Sequence, residues 1–137
     1  MASFNELLQD MVNKDYSELV YIAKQATVGL MPACKAVDSD HGGYMMLTSL
    51  ILTAVAADGV LTALERKMIG DTYSFDSDTI DKMIAMYDKR MADLADHFVD
   101  NMGTETKAHA LALITAFAAV DEKISKEETR LLRKLLD

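Results

Sequence analysis

Between Tyr44 and Ala57 the chain reads YMMLTSLILTAVAA, a stretch without a charge, a proline or a glycine. A helix built from it is apolar all round, so it is stable in water only when other elements surround it. The stretch is too short to span a bilayer and carries Thr and Ser, as buried core helices often do. Ala108 to Val120, AHALALITAFAAV, makes the same demand a second time. Two such helices need a shell of amphipathic neighbours, and the rest of the chain supplies them.

Phe4, Leu7, Leu8 and Met11 recur on one helical face directly after Ser3, with Glu6 three residues beyond it. Leu19, Ile22, Ala23 and Ala26 repeat the pattern. Gly29 and Pro32 are expected to bend or break that second helix, leaving the part that contains Cys34 as a separate short one. VDSDHGGY, Val37 to Tyr44, is the clearest loop. Beyond the central apolar helix, further helices are expected from Thr62 to about Tyr73, around Ile80, Met83, Ile84 and Tyr87, from Asp88 to Met102, to about Val120 after Gly103 and Thr104, and from Ser125 through Leu135. No segment alternates with a period of two. The expectation is one domain spanning 1–137, an all-α compact bundle of about seven or eight helices joined by short connections.

The chain has 137 residues, and its 22 acidic against 14 basic residues give a formal charge of -8. That field repels a phosphate backbone and favours cations or basic partner surfaces, so nucleic-acid binding is not expected. The start, MASFNELLQD, lacks the basic flank and apolar core of a secretory signal, and Cys34 is the single cysteine. A cytoplasmic protein without membrane insertion is expected, with Cys34 a buried, inert thiol.

LILTAVAADGVLTALERKMI superposes on LITAFAAVDEKISKEETRLL when the chain is slid so that Asp58 meets Asp121, within one residue of slip. Each copy is an apolar helix, an acidic turn and an amphipathic helix, and such pairs usually pack face to face. In a calcium loop of the EF-hand kind, Asp58, Gly59 and Glu65 would be the fifth, sixth and twelfth positions, but the first and third fall on Ala54 and Ala56. In the second copy those two positions are Phe117 and Ala119, and Glu122 replaces the glycine. Half the ligands are missing, which speaks against an EF-hand.

Helix capping explains the glutamates. Thr62 to Glu65 and Ser125 to Glu128 both have the S/T-x-x-E spacing, in which hydroxyl and carboxylate satisfy each other's free backbone N–H groups. Asp58 and Asp121 differ, because each closes a helix at the negative end of its dipole. An Asx-type turn or the start of the next helix compensates such a charge, and so does a bound divalent cation or a basic partner residue. The candidate metal ligands are therefore Asp58, Glu65, Asp121 and Glu128, with Ca, Mg or Zn as the possible ion.

AADGVLTALERKMI resembles the acidic-turn signature of the TerB-like domains of the tellurite-resistance TerB family, and AAVDEKISKEETRLL is similar to that family's second copy. Together they cover about a quarter of the chain. The resemblance implies an all-α domain of about seven helices with internal duplication, found in bacterial stress loci beside TerC-type membrane proteins and TerD-type calcium binders. A related domain forms the N-terminal part of the DjlA class of membrane-bound co-chaperones. Metal binding through the acidic motif residues, here Asp58, Glu65, Asp121 and Glu128, is part of that expectation. So is a protein partner, membrane-associated stress proteins among the candidates. Glu122 departs from the pattern, where a glycine is usual, so the second turn is the weaker half of any shared site.

His41 stands beside Asp38 and Asp40 in DSDHGG, a grouping that suits zinc but is commoner as a capped loop. Asp93 with His97, and Glu105 with His109, have the i, i+4 spacing of one helix face without an H-E-x-x-H motif. Met45, Met46, Met83, Met86 and Met91 are suited to an adaptable partner groove, although filling gaps in a core is the commoner role. There is no nucleophile elbow, Walker loop or dinucleotide fingerprint. The sequence thus leads to a non-enzymatic, stress-associated accessory or binding domain that couples cation binding at its acidic turns to a partner. The rival is a purely structural interaction module, co-chaperone-like, with no metal site.

Overall fold

Carboxylate and hydroxyl caps decide where most of the helices begin. The computed structural model describes residues 4–56, 61–120 and 126–136. Among them the order is α1 (Phe4–Val12), α2 (Tyr16–Val37), a 3-10 turn (Ser39–His41), α3 (Tyr44–Val55), α4 (Ala63–Tyr73), α5 (Ser77–Met86), α6 (Lys89–Asn101), α7 (Thr104–Val120) and α8 (Lys126–Leu136), with no strand. Asp15, Thr62, Asp76 and Asp88 each accept the backbone N–H three residues on, satisfying a donor that the first turn leaves free. The expected all-α bundle is the observed one.

The apolar run of α3 is enclosed as its composition demands: Met46, Leu47 and every residue from Ser49 to Val55 are buried. The polar members are paired within the core. Ser49 Oγ donates to the Met45 carbonyl at 2.7 Å, and Thr53 shares a hydrogen bond of 2.8 Å with the Tyr87 hydroxyl. Around α3 lie α6, α2, α8 and α7, while α7 also packs against α1, α2 and α4. α8 lies along α7, whereas the main neighbours of α4 are α2, α7 and α5. The likeness of the two helix pairs is one of sequence.

α2 does not break. It runs through Gly29 and Pro32 as one helix of 22 residues, and the stretch with Cys34 belongs to it. Leu19, Ala23, Ala26, Leu30 and Cys34 form its buried face, while Pro32 and Val28 are on the water side. The Val28 carbonyl is the one that loses its partner to the proline. On the solvent side water replaces that bond, and the buried stripe holds the helix on course.

Gly29 marks the close approach of α2 to α7. A Cβ built there would collide with the imidazole of His109. Alanine is otherwise the better residue inside a helix, by about 1 kcal/mol. We therefore expect Gly29→Ala to destabilise the protein but to stabilise a His109→Ala background by up to about 1 kcal/mol. Urea midpoints of the four proteins in this cycle check the reversal of sign.

Polar ties join the outer helices. Tyr16 of α2 donates to Asp71 of α4 at 2.6 Å, and Lys67 lies over the Tyr16 ring while reaching the same carboxylate at 2.8 Å. Asp96 and Asp100 of α6 face Arg130 and Lys134 of α8 at 2.6 and 3.0 Å. These half-exposed pairs orient α8 more than they stabilise it. No helix among the described residues is long and apolar enough to cross a membrane.

Candidate functional site

Of the four acidic residues singled out by the sequence, Glu65 is the one whose side chain the structure describes. It is 7% exposed in the first turn of α4. Its Oε1 accepts the Thr62 N–H at 3.0 Å, and its own N–H donates to Thr62 Oγ1 at 3.1 Å. This is the expected capping box, closed in both directions. Asp58 and Asp121 lie outside the described residues, and Glu128 lies on α8 with its side chain outside the description. The positions that would open an EF-hand loop, Ala54, Ala56, Phe117 and Ala119, are all core residues.

Asp38 organises the loop before α3. Its Oδ2 accepts the N–H groups of Met45 and Met46 at 2.9 and 3.3 Å, and its Oδ1 meets His41 Nδ1 at 2.7 Å. The carboxylate therefore caps α3 from the end of α2, as the capped-loop reading of DSDHGG expects. The other histidines have separate neighbours: His97 faces Asn101, Asp93 pairs with Lys89, and His109 rests on Gly29. Among the described residues no three His, Cys, Asp or Glu side chains are grouped to hold a metal ion. Cys34 is fully buried, and burial, with the Asp38 charge adding to it, pushes its thiol up to about 11. A thiol in that state is protonated and inert at neutral pH.

The feature that sequence reasoning located only in part is an open hollow of about 440 Å³ where the start of α3 meets the turn between α5 and α6. Met45, Met86, Met91 and Leu94 line it, together with Asp88 and Arg90. Met46 is instead sealed in the core, and Met83 is half-buried beside it. So the five methionines divide: three line the hollow, one is inside the core and one packs against it. Met86 is 56% exposed, so the hollow is open to solvent along this side chain. The one carboxylate of the hollow, Asp88, is engaged by the Met91 N–H at 3.1 Å and by the Arg90 guanidinium at 3.2 Å.

The caps also set how the protein responds to acid. The Glu18, Thr79 and Met91 N–H groups hold the Asp15, Asp76 and Asp88 carboxyls below their ordinary value. Lys67 and then Tyr16 do the same for Asp71. For Asp38, partial burial alone would raise the carboxyl, but the His41 ring and the Met46 and Met45 N–H groups outweigh it and leave it lowered. A carboxylate depressed in the folded state binds its proton more readily when unfolded, so its contribution is complete above the unfolded value and fades as pH falls through the folded one. Stability should lose the support of these five groups below about pH 4. Replacing Asp15, Asp76 and Asp88 with Asn, a cap that does not titrate, should flatten the acid limb of urea midpoint against pH.

Compared with protein-family models, with curated proteins and with solved structures, the chain matches none of them.

Proposed function

We propose that the chain is a non-enzymatic accessory domain of the TerB-like kind that acts by binding, and that its binding surface is the methionine-lined hollow. The observation that carries this reading is the composition of that hollow. Its walls are thioether and aliphatic, and its charged groups, Asp88 and Arg90, neutralise each other. A lining of this kind offers adaptable contact area and no free acid, base or nucleophile. A partner among stress proteins belongs to the same reading and rests on the resemblance of the acidic turns, while a cytoplasmic setting rests on the N-terminal stretch and the single cysteine.

The test uses protein labelled at the methionine methyl groups with carbon-13 and titrated with the apolar probe anilinonaphthalene sulfonate. Methyl signals of Met45, Met86 and Met91 should move, while those of the buried Met46 and Met68 stay. If no methyl signal moves, the hollow is not a binding surface and the reading falls.

A second reading keeps the acidic turns as a divalent-cation site of Asp58, Glu65, Asp121 and Glu128. It is favoured by the burial of the Glu65 carboxylate at the end of the first turn. Under it, Ca, Mg or Zn should raise the melting temperature, and Asp58→Asn should remove that rise with little other loss. Coincident melts with and without the ions would end this reading.

A further inference from the structure

The backbones that present the three methionines are pinned. The Met45 N–H is held by Asp38 at 2.9 Å, and the Met91 N–H by Asp88 at 3.1 Å. Met86 and Met91 stand on either side of the connection Tyr87–Asp88, whose tyrosine is anchored by its hydroxyl to Thr53 of α3 at 2.8 Å. Caps and a core hydrogen bond thus fix where three flexible thioethers arise. The three residues line one space whose other walls are Leu94 and a self-compensated ion pair.

Thioether sulfur is a soft, neutral donor that prefers monovalent copper to zinc, calcium or magnesium. We propose that the hollow binds a soft monovalent cation, Cu(I) or its analogue Ag(I), through the sulfurs of Met45, Met86 and Met91. This rests on the reading of the hollow as the binding surface and names its ligand class. Among the other soft donors, Met46, Met68 and Cys34 are fully buried, and the cysteine is held protonated. Met11, Met31, Met83 and Met102 are partly buried, like Met45, but do not line the hollow. Three neutral ligands leave the charge of the cation uncompensated, and the net charge of -8 on the chain supplies a favourable field. Met86 is exposed enough for a cation to enter, and Met91 is buried enough to shield it from water.

The experiment is a silver titration of methyl-labelled protein in chloride-free buffer, paired with anaerobic Cu(I) competition against the chromophoric chelator bicinchoninate. One equivalent should bind, shifting the methyl signals of Met45, Met86 and Met91 alone. Each of Met45→Leu, Met86→Leu and Met91→Leu keeps the wall apolar and should weaken binding by about tenfold or more, and the triple variant should not bind. The triple variant should keep a single cooperative urea transition, which shows that it still folds, and uptake of the anilinonaphthalene probe should persist, which shows that it keeps its hollow. Undiminished binding in the triple variant, shifts at other methionines, or dependence on Cys34 would overturn the proposal. If wild type takes up the probe but neither cation, this inference fails and the binding reading stands. If it takes up none of them, both fail.

Discussion

Gly43→Ala should cost about 2–3 kcal/mol, while Gly42→Ala, one residue earlier, should cost only about 1 kcal/mol. Both glycines have positive φ, 61° at Gly42 and 87° at Gly43, so both substitutions force an L side chain into left-handed backbone. They differ in what the new carbon meets. At Gly42 it touches only the edge of the Tyr44 ring at 3.8 Å, an ordinary contact. At Gly43 it would stand 2.9 Å from the Lys35 nitrogen and 3.1 Å from the Cys34 carbonyl carbon. Those are backbone atoms inside α2, and no rotamer change relieves them. The strain must instead push the start of α3 away from α2, and that shift disturbs the Asp38 cap and the position of Met45. Urea unfolding should show the two midpoints separating. A methyl spectrum of Gly43→Ala should show Met45 displaced and the distant Met102 unmoved. Equal losses for the two variants would mean that backbone conformation, and not the close approach of α2, sets the requirement for glycine.

The starts of α4 and α6 were legible in the sequence. Thr62 and Asp88 precede them where the sequence places those helices, because a cap is a local device whose residues are neighbours in the chain. Pro32 misled for the complementary reason. Its cost depends on whether the Val28 carbonyl faces protein or water, and tertiary packing decides that. The methionines show the same limit within one dipeptide. Met45 faces the hollow and Met46 is sealed in the core, yet α3 is apolar on nearly every side, so no periodicity distinguishes them. Met86 and Met91 become neighbours across the hollow only through the turn between α5 and α6. On the acidic turns the capping box of Thr62 and Glu65 was readable from its spacing, whereas any role for Asp58 and Asp121 depends on groups brought there by the fold.

Phe117→Ala should be the costliest single change, about 3–5 kcal/mol. Phe117 is 1% exposed on α7 and lines a narrow gap between the helices with Leu50, Ile51, Ala54 and Val55 of α3 and Leu113 and Ile114 of its own helix. Removing the ring loses its transfer free energy and leaves a cavity that two packed helices close only in part. The loss falls at a junction, since α7 touches α1, α2, α3, α4 and α8. A junction of that kind should couple the whole chain. The urea midpoint should therefore drop by about 2 M, with a slope unchanged from wild type, if that slope is about 2 kcal/mol/M. Helix signal in the far ultraviolet and fluorescence from the five tyrosines, in a chain without tryptophan, should trace the same curve. Tyr73 lies on α4 and shares a hydrogen bond of 2.9 Å with Thr27 of α2, so it reports on two helices outside the α3–α7 contact. Two separate transitions, with the tyrosine signal lagging the helix signal, would mean that those helices hold together without α7. The expectation of one domain over 1–137 would then give way to two cooperative units.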